Sequence, residues 1–238
     1  PPAPAGRLGF WLRCRRWSLP NVAPDASGGL SPGRHLLLLG SSVAQGVGAK
    51  SPRPGGPSWA EQLEEALRPR GWAMHNLAVY GTNVDAWRPI LEERATREQL
   101  AGFGVVVLSL SLGNEGFAFR QPGGLREAER RYADGLRGLA RLLRGRMQPD
   151  ARLVLGGPYP NGLYTEDHLE ALQRVRDAMQ SWQEVDHVID FLAPHMHADG
   201  GKWRAGESSD FAHPNSRGHE SMFRCIDMQA MLGPLSDA

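Results

Sequence analysis

Residues 34–46 read Arg34-His35-Leu36-Leu37-Leu38-Leu39-Gly40-Ser41-Ser42-Val43-Ala44-Gln45-Gly46, and the fold is decided by how this stretch divides. Four consecutive leucines leave no polar face, so residues 35–39 are expected to form a strand buried on both sides. The small residues from Gly40 to Gly46 then make a tight turn.

Working outward, residues 103–110 (Phe-Gly-Val-Val-Val-Leu-Ser-Leu) carry the strongest strand signal, apolar and β-branched nearly throughout. Residues 72–79, 151–155 and 187–191 supply three further strands. Between them lie helical patterns. Ser58-Trp59-Ala60-Glu61 is a capping box. Residues 125–143 place Leu125, Ala128, Tyr132, Leu136, Leu139 and Leu143 on one stripe, and residues 165–182 do the same with Leu169, Leu172, Val175, Met179 and Trp182. A last helix is expected over residues 216–232, capped by Asn215 or Ser216 and stopped by Gly233-Pro234. Strands alternating with helices predict a parallel sheet with right-handed crossovers and helices on both faces.

At 238 residues, 41% hydrophobic and 22% charged, the chain suits one soluble domain. Residues 34–238 are assigned to it, and residues 1–33, rich in Pro, Gly and Arg, to an extended arm. Within that arm the aromatic-basic patch of residues 10–17 reads as a strap with solvated arginines, with a membrane-surface or partner-binding role as the competing reading. A net charge of +1 provides no field to gather nucleic acid or an anionic membrane. The longest apolar run is far below the ~20 residues that span a bilayer. Cys14 and Cys225 have no metal-ligand spacing, and their pairing stays open. The chain opens Pro1-Pro2-Ala3-Pro4 without methionine, so a removed leader stays open and no compartment is assigned. Oligomeric state is likewise not assigned.

Chemistry enters at Ser209-Asp210-Phe211-Ala212-His213-Pro214-Asn215-Ser216. Proline disfavours the α conformation in the residue before it, so His213 belongs to a loop, three positions from a carboxylate. Such a pair is two thirds of a nucleophilic constellation. In open parallel sheets ligands gather at the carboxyl ends of the strands, and Ser42, Gly81 and Asn114 each follow a strand. Singly each has a plain reading: Ser42 as a helix cap, Gly81 and Asn114 as turn residues. Four separated stretches converging on one sheet edge carry more weight than any one alone.

These residues resemble the SGNH or GDSL hydrolase superfamily, whose four blocks are matched in order over roughly residues 35–232. Gly40-Ser41-Ser42 is similar to its Gly-Asp-Ser block, Gly81 and Asn114 to the second and third, and Asp210-Phe211-Ala212-His213 to the last. The resemblance implies a three-layer α/β/α sandwich of flavodoxin-like type with about five parallel strands. It implies hydrolysis of a small-molecule or glycan ester without metal or organic cofactor. Ser42 would be the nucleophile, His213 the base and then acid, and Asp210 its orienting carboxylate. The amides of Ser42 and Gly81 and the Asn114 side chain would form the oxyanion hole. Two departures stand out. The first-block aspartate is Ser41 here, which leaves two candidate serines, and the usual Gly-x-Asn-Asp is replaced by Leu112-Gly113-Asn114-Glu115.

The residues admit other readings. Gly40-Ser41-Ser42-Val43-Ala44 nearly matches the Gly-x-Ser-x-Gly elbow of α/β-hydrolases, but that fold needs strands before it. His195-Met196-His197-Ala198-Asp199 lacks further ligands at metal spacing. An acyltransferase on the same triad and a non-catalytic carbohydrate or acyl binding module are the alternatives in function. Trp87, Tyr159, Trp203 and Phe211 are candidates to line an acyl or sugar pocket, with packing as the competing role.

Overall fold

The structure is a computed structural model and describes residues 19–20, 34–49, 57–118 and 124–233. Five parallel strands form its main sheet: β1 (His35–Gly40), β2 (Ala73–Asn76), β3 (Val105–Ser109), β4 (Arg152–Gly156) and β5 (His187–Ile189). Their order is β2-β1-β3-β4-β5. This is the doubly wound order of flavodoxin-like folds, whose switch point between β1 and β3 opens a crevice at the carboxyl edge.

The helices follow from the sequence in order: α1 (Ser42–Gln45), α2 (Trp59–Leu67), α3 (Val84–Arg94), α4 (Arg97–Leu100), α5 (Gly124–Arg144), α6 (Glu166–Gln180), α7 (Ser216–Arg224) and α8 (Met228–Leu232). Side chains alternate across a strand, so the leucine run divides between two cores. Leu37 and Leu39, with Val106, Leu108, Leu153 and Leu155, pack against Trp87 and Leu91 of α3, Tyr132 and Leu136 of α5, and Leu172 of α6. Leu36 and Leu38, with Val105, Val107 and Val154, pack against Trp59 and Leu63 of α2, Met222 of α7 and Met231 of α8. All four leucines are fully buried.

The expected α5 stripe is buried at Ala128, Tyr132, Leu136, Leu139 and Leu143. Its outer arginines make ion pairs, Arg130 with Glu127 and Asp134 among them. The Ser58 capping box forms in both directions, Glu61 N–H donating to Ser58 Oγ and Ser58 N–H to Glu61 Oε2.

Three expectations need correction. The 72–79 strand is regular only over Ala73–Asn76; beyond it Leu77 N–H and Val79 N–H still donate to Leu38 O and Gly40 O, while Ala78 N–H between them is taken by the Asn76 side-chain Oδ1 at 3.0 Å. The single helix expected over 216–232 is two, broken at Cys225 and restarted by Asp227, whose carboxylate accepts from Ala230 N–H at 2.9 Å. Helices α3 and α4 occupy a stretch where the sequence reading placed no element. The arm lies outside the described residues except Leu19 and Pro20, and Leu19 is buried in the first core. Among the described residues no helix is long and apolar enough to cross a membrane.

Candidate active site

Position 42 is placed by β1. The strand ends at Gly40, Ser41 N–H donates to Ser109 O at 3.2 Å, and Ser42 opens the short helix α1. Ser42 is thereby held at the carboxyl edge with little freedom.

The Asp210–His213 loop is a self-contained turn. Asp210 Oδ1 accepts from the backbone N–H of Ala212 (2.7 Å) and of His213 (2.8 Å), while Oδ2 lies 2.9 Å from His213 Nδ1. Burial pushes the Asp210 carboxyl up, but the hydrogen bonds from the His213 ring and from both backbone amides outweigh it and hold the group below its usual range. An ionised carboxylate only accepts, so the ring proton sits on Nδ1. His213 Nε2 is then free to accept from the Ser42 hydroxyl, 3.1 Å away. Hydroxyl, imidazole and carboxylate stand in line across 171 positions of sequence.

What keeps the two loops together is neighbouring packing. Gly48 has φ +95°, and a Cβ there would lie 2.0 Å from Pro214 O, so only glycine lets the turn after α1 press against the residue beside His213. His219, fully buried in α7, completes the clamp. Its Nδ1 accepts from Trp59 N–H at 3.3 Å, and its Nε2 donates to Val47 O at 3.0 Å. Burial drives its pKa down to about 4, so the ring stays neutral. Asn215 caps α7 by accepting from the N–H groups of Arg217 and Gly218.

The three candidate donors face the same edge. Among the described residues the N–H groups of Ser42 and Gly81 donate to no protein acceptor. Gly81 has φ +74° with open space where a Cβ would stand. Asn114 Nδ2 gives one hydrogen to Thr82 O at 2.8 Å and keeps a second. Glu115, where the superfamily has aspartate, is buried and accepts from Val84 N–H, the first amide of α3, at 2.9 Å. Burial raises its pKa, and the bond to Val84 opposes that. It thus ties the Asn114 turn to the Gly81–Asn83 turn.

The imidazole meets Ser42 and not Ser41. Ser41 is fully buried, and its hydroxyl faces Tyr159 without completing a hydrogen bond among the described residues. Three of the four aromatic candidates are packing residues. Trp87 is wholly buried, its indole N–H shared between Thr82 Oγ1 (3.0 Å) and Gly40 O (3.3 Å). Tyr159 and Trp203 stack on each other inside the second core, at 6.2 Å between ring centroids. Only Phe211 is open to solvent. The sequence reading passed over Tyr80, whose ring stacks on the His213 imidazole at 5.9 Å, and Thr82, whose hydroxyl and carbonyl join β1, α3 and Asn114. The only signal for either was a place beside Gly81. Among the described residues no group of three or more His, Cys, Asp and Glu could hold a metal ion.

A parallel sheet carrying hydroxyl, imidazole and carboxylate in line at its carboxyl edge has the architecture of a serine hydrolase. The model of the GDSL-like lipase/acylhydrolase family matches residues 38–220, and the chain belongs to that family. It is an SGNH-type carboxylic ester hydrolase. No curated protein matches. A lipase from a goat rumen metagenome is 18% identical with a TM-score of 0.64, covering 85% of this chain and 99% of that one. A catalytic mutant of an acetylxylan esterase from Geobacillus stearothermophilus is 15% identical with a TM-score of 0.54, covering 87% and 97%. The lipase/acylhydrolase from Enterococcus faecalis is 13% identical with a TM-score of 0.56, covering 81% and 93%. At these identities the likeness is one of fold.

Proposed function

We propose that this chain hydrolyses carboxylic esters through an acyl-enzyme on Ser42. The observation that carries the reading is the continuous line from Ser42 Oγ through His213 to Asp210, at 3.1 and 2.9 Å.

His213 Nε2 takes the Ser42 proton as Oγ attacks the ester carbonyl carbon. The carbonyl oxygen gains the negative charge, and the N–H groups of Ser42 and Gly81 and the Asn114 amide receive it. Each such donor is worth ~10²–10³ in rate when it is aimed at the developing charge. The protonated ring, its Nδ1–H held by Asp210, then gives the Nε2 proton to the leaving alkoxide, and acyl-Ser42 remains. A water molecule repeats the sequence in reverse, returning the carboxylic acid and the free hydroxyl. No cofactor enters these steps.

The test is turnover of p-nitrophenyl acetate by the wild type, Ser42→Ala and Ser41→Ala. Ser42→Ala is expected to lose ~10³-fold or more in kcat with an unchanged melting temperature, and Ser41→Ala to stay active. The reverse pattern would assign the attack to the other serine.

A further inference from the structure

Among the described residues three large apolar side chains are exposed: Tyr80 (61%), Leu163 (41%) and Phe211 (50%). They come from the loops after β2 and β4 and from the Asp210–His213 loop, and all three gather at the site. Tyr80 stacks on the His213 ring at 5.9 Å. Phe211 is two positions from His213. Leu163 follows Gly162, whose N–H donates to Phe211 O at 2.6 Å and whose missing Cβ would meet the Phe211 backbone at 3.2 Å. Beside Tyr80 the space in front of Gly81 is empty. Elsewhere the described surface carries no large exposed apolar side chain, so this coincidence calls for an occupant.

We propose that Tyr80, Leu163 and Phe211 form an apolar rim that seats the hydrocarbon part of the ester. This rests on the ester-hydrolase reading and names its substrate class. Sugar hydroxyls need several polar partners, and in this rim the Leu163–Phe211 pair has none and only the Tyr80 phenol could offer one. The indoles of Trp87 and Trp203, which could have stacked on a sugar, are buried. A protein partner covering the rim would also close Ser42 off from substrate. A chain laid across the rim gains from water exclusion along its length while leaving the carbonyl carbon at Ser42 Oγ.

The experiment compares p-nitrophenyl acetate, butyrate and octanoate. With the wild type, KM is expected to fall about tenfold from acetate to octanoate, as one-sided burial of six methylenes allows. The double variant Leu163→Ser/Phe211→Ser should flatten that dependence, whereas Tyr80→Phe should keep it. These side chains are exposed, and equal melting temperatures establish that the variants fold. An undiminished chain-length dependence in the double variant, or a wild type that prefers acetylated sugars, overturns the proposal. If the wild type turns over none of these esters, the hydrolytic reading fails on its own. The rim is then decided by calorimetric titration of Ser42→Ala protein with octanoate: binding that the double variant loses supports it, and no binding overturns it.

Discussion

Single residues at this site differ in what they contribute, and burial tells them apart. Ser41 stands where the superfamily has an aspartate, yet its hydroxyl is buried and unpartnered among the described residues. An unmade buried hydrogen bond is a cost, so Ser41→Ala is expected to leave stability unchanged or raise it by up to about 1 kcal/mol, read as the midpoint of urea unfolding. His219 works in the opposite direction. Its pKa is about 4 in the fold against 6.5 for the free side chain. The unfolded chain therefore binds more protons across that interval, and stability is fully present above pH 6.5 and drains as pH falls toward 4. The loss amounts to about 3 kcal/mol once both states are protonated. His219→Gln is expected to lessen the slope of stability against pH in that window, measured by urea unfolding at a series of pH values. An unchanged slope would mean that other groups carry the acid sensitivity.

Elements are tied to the site by their ends. Glu115 meets the first amide of α3 through a carboxylate that also favours the positive end of the helix dipole. Removing it leaves a buried N–H without a partner, so Glu115→Ala is expected to cost about 1–3 kcal/mol in unfolding free energy. Because the Gly81 turn leads into α3, kcat should fall with KM little changed, as steady-state kinetics would show. Gly48→Ala acts on the other loop. A Cβ cannot coexist with Pro214 O, so the Asp210–His213 turn must move off Ser42, and activity should drop much more than thermal stability. At this scale the sequence was legible where caps were strong. Ser58–Glu61 announced α2, and the α5 and α6 stripes were clear. The break at Asp227 carried an ordinary N-cap residue, but the apolar spacing of Met222, Ile226 and Ala230 runs straight across it. Helix α3 went unread because Trp87, Ile90 and Leu91 share it with Pro89, and its start depends on Asn83 and on a carboxylate 31 positions away.

For the molecule as a whole, stability rests on two cores that share one sheet. Leu38 lies in the centre of β1 with no exposed surface, and β1 pairs on both sides, with β2 and β3. Leu38→Ala is expected to cost about 2–5 kcal/mol in urea unfolding, and a change below 1 kcal/mol would show that the second core can close over the cavity. The sheet, its parallel direction and the convergence of Ser42, Gly81, Asn114 and Asp210–His213 were readable from the chain alone. Apolar runs without a polar face must be buried on both sides, and parallel strands deliver their following loops to one edge. Which aromatic side chains face the substrate was not readable. Trp87, Tyr159 and Trp203 turned inward and Tyr80 outward, and Trp87 lies in α3 rather than in the loop expected for it. Residue type fixes how much a side chain gains from burial, but only the three-dimensional path of the loops decides which of them find room beneath the sheet edge. For the serine, the register of the turn after the leucine strand already favoured Ser42, and in the fold the backbone turn after Gly40 sets its hydroxyl toward His213 while Ser41 is wholly buried.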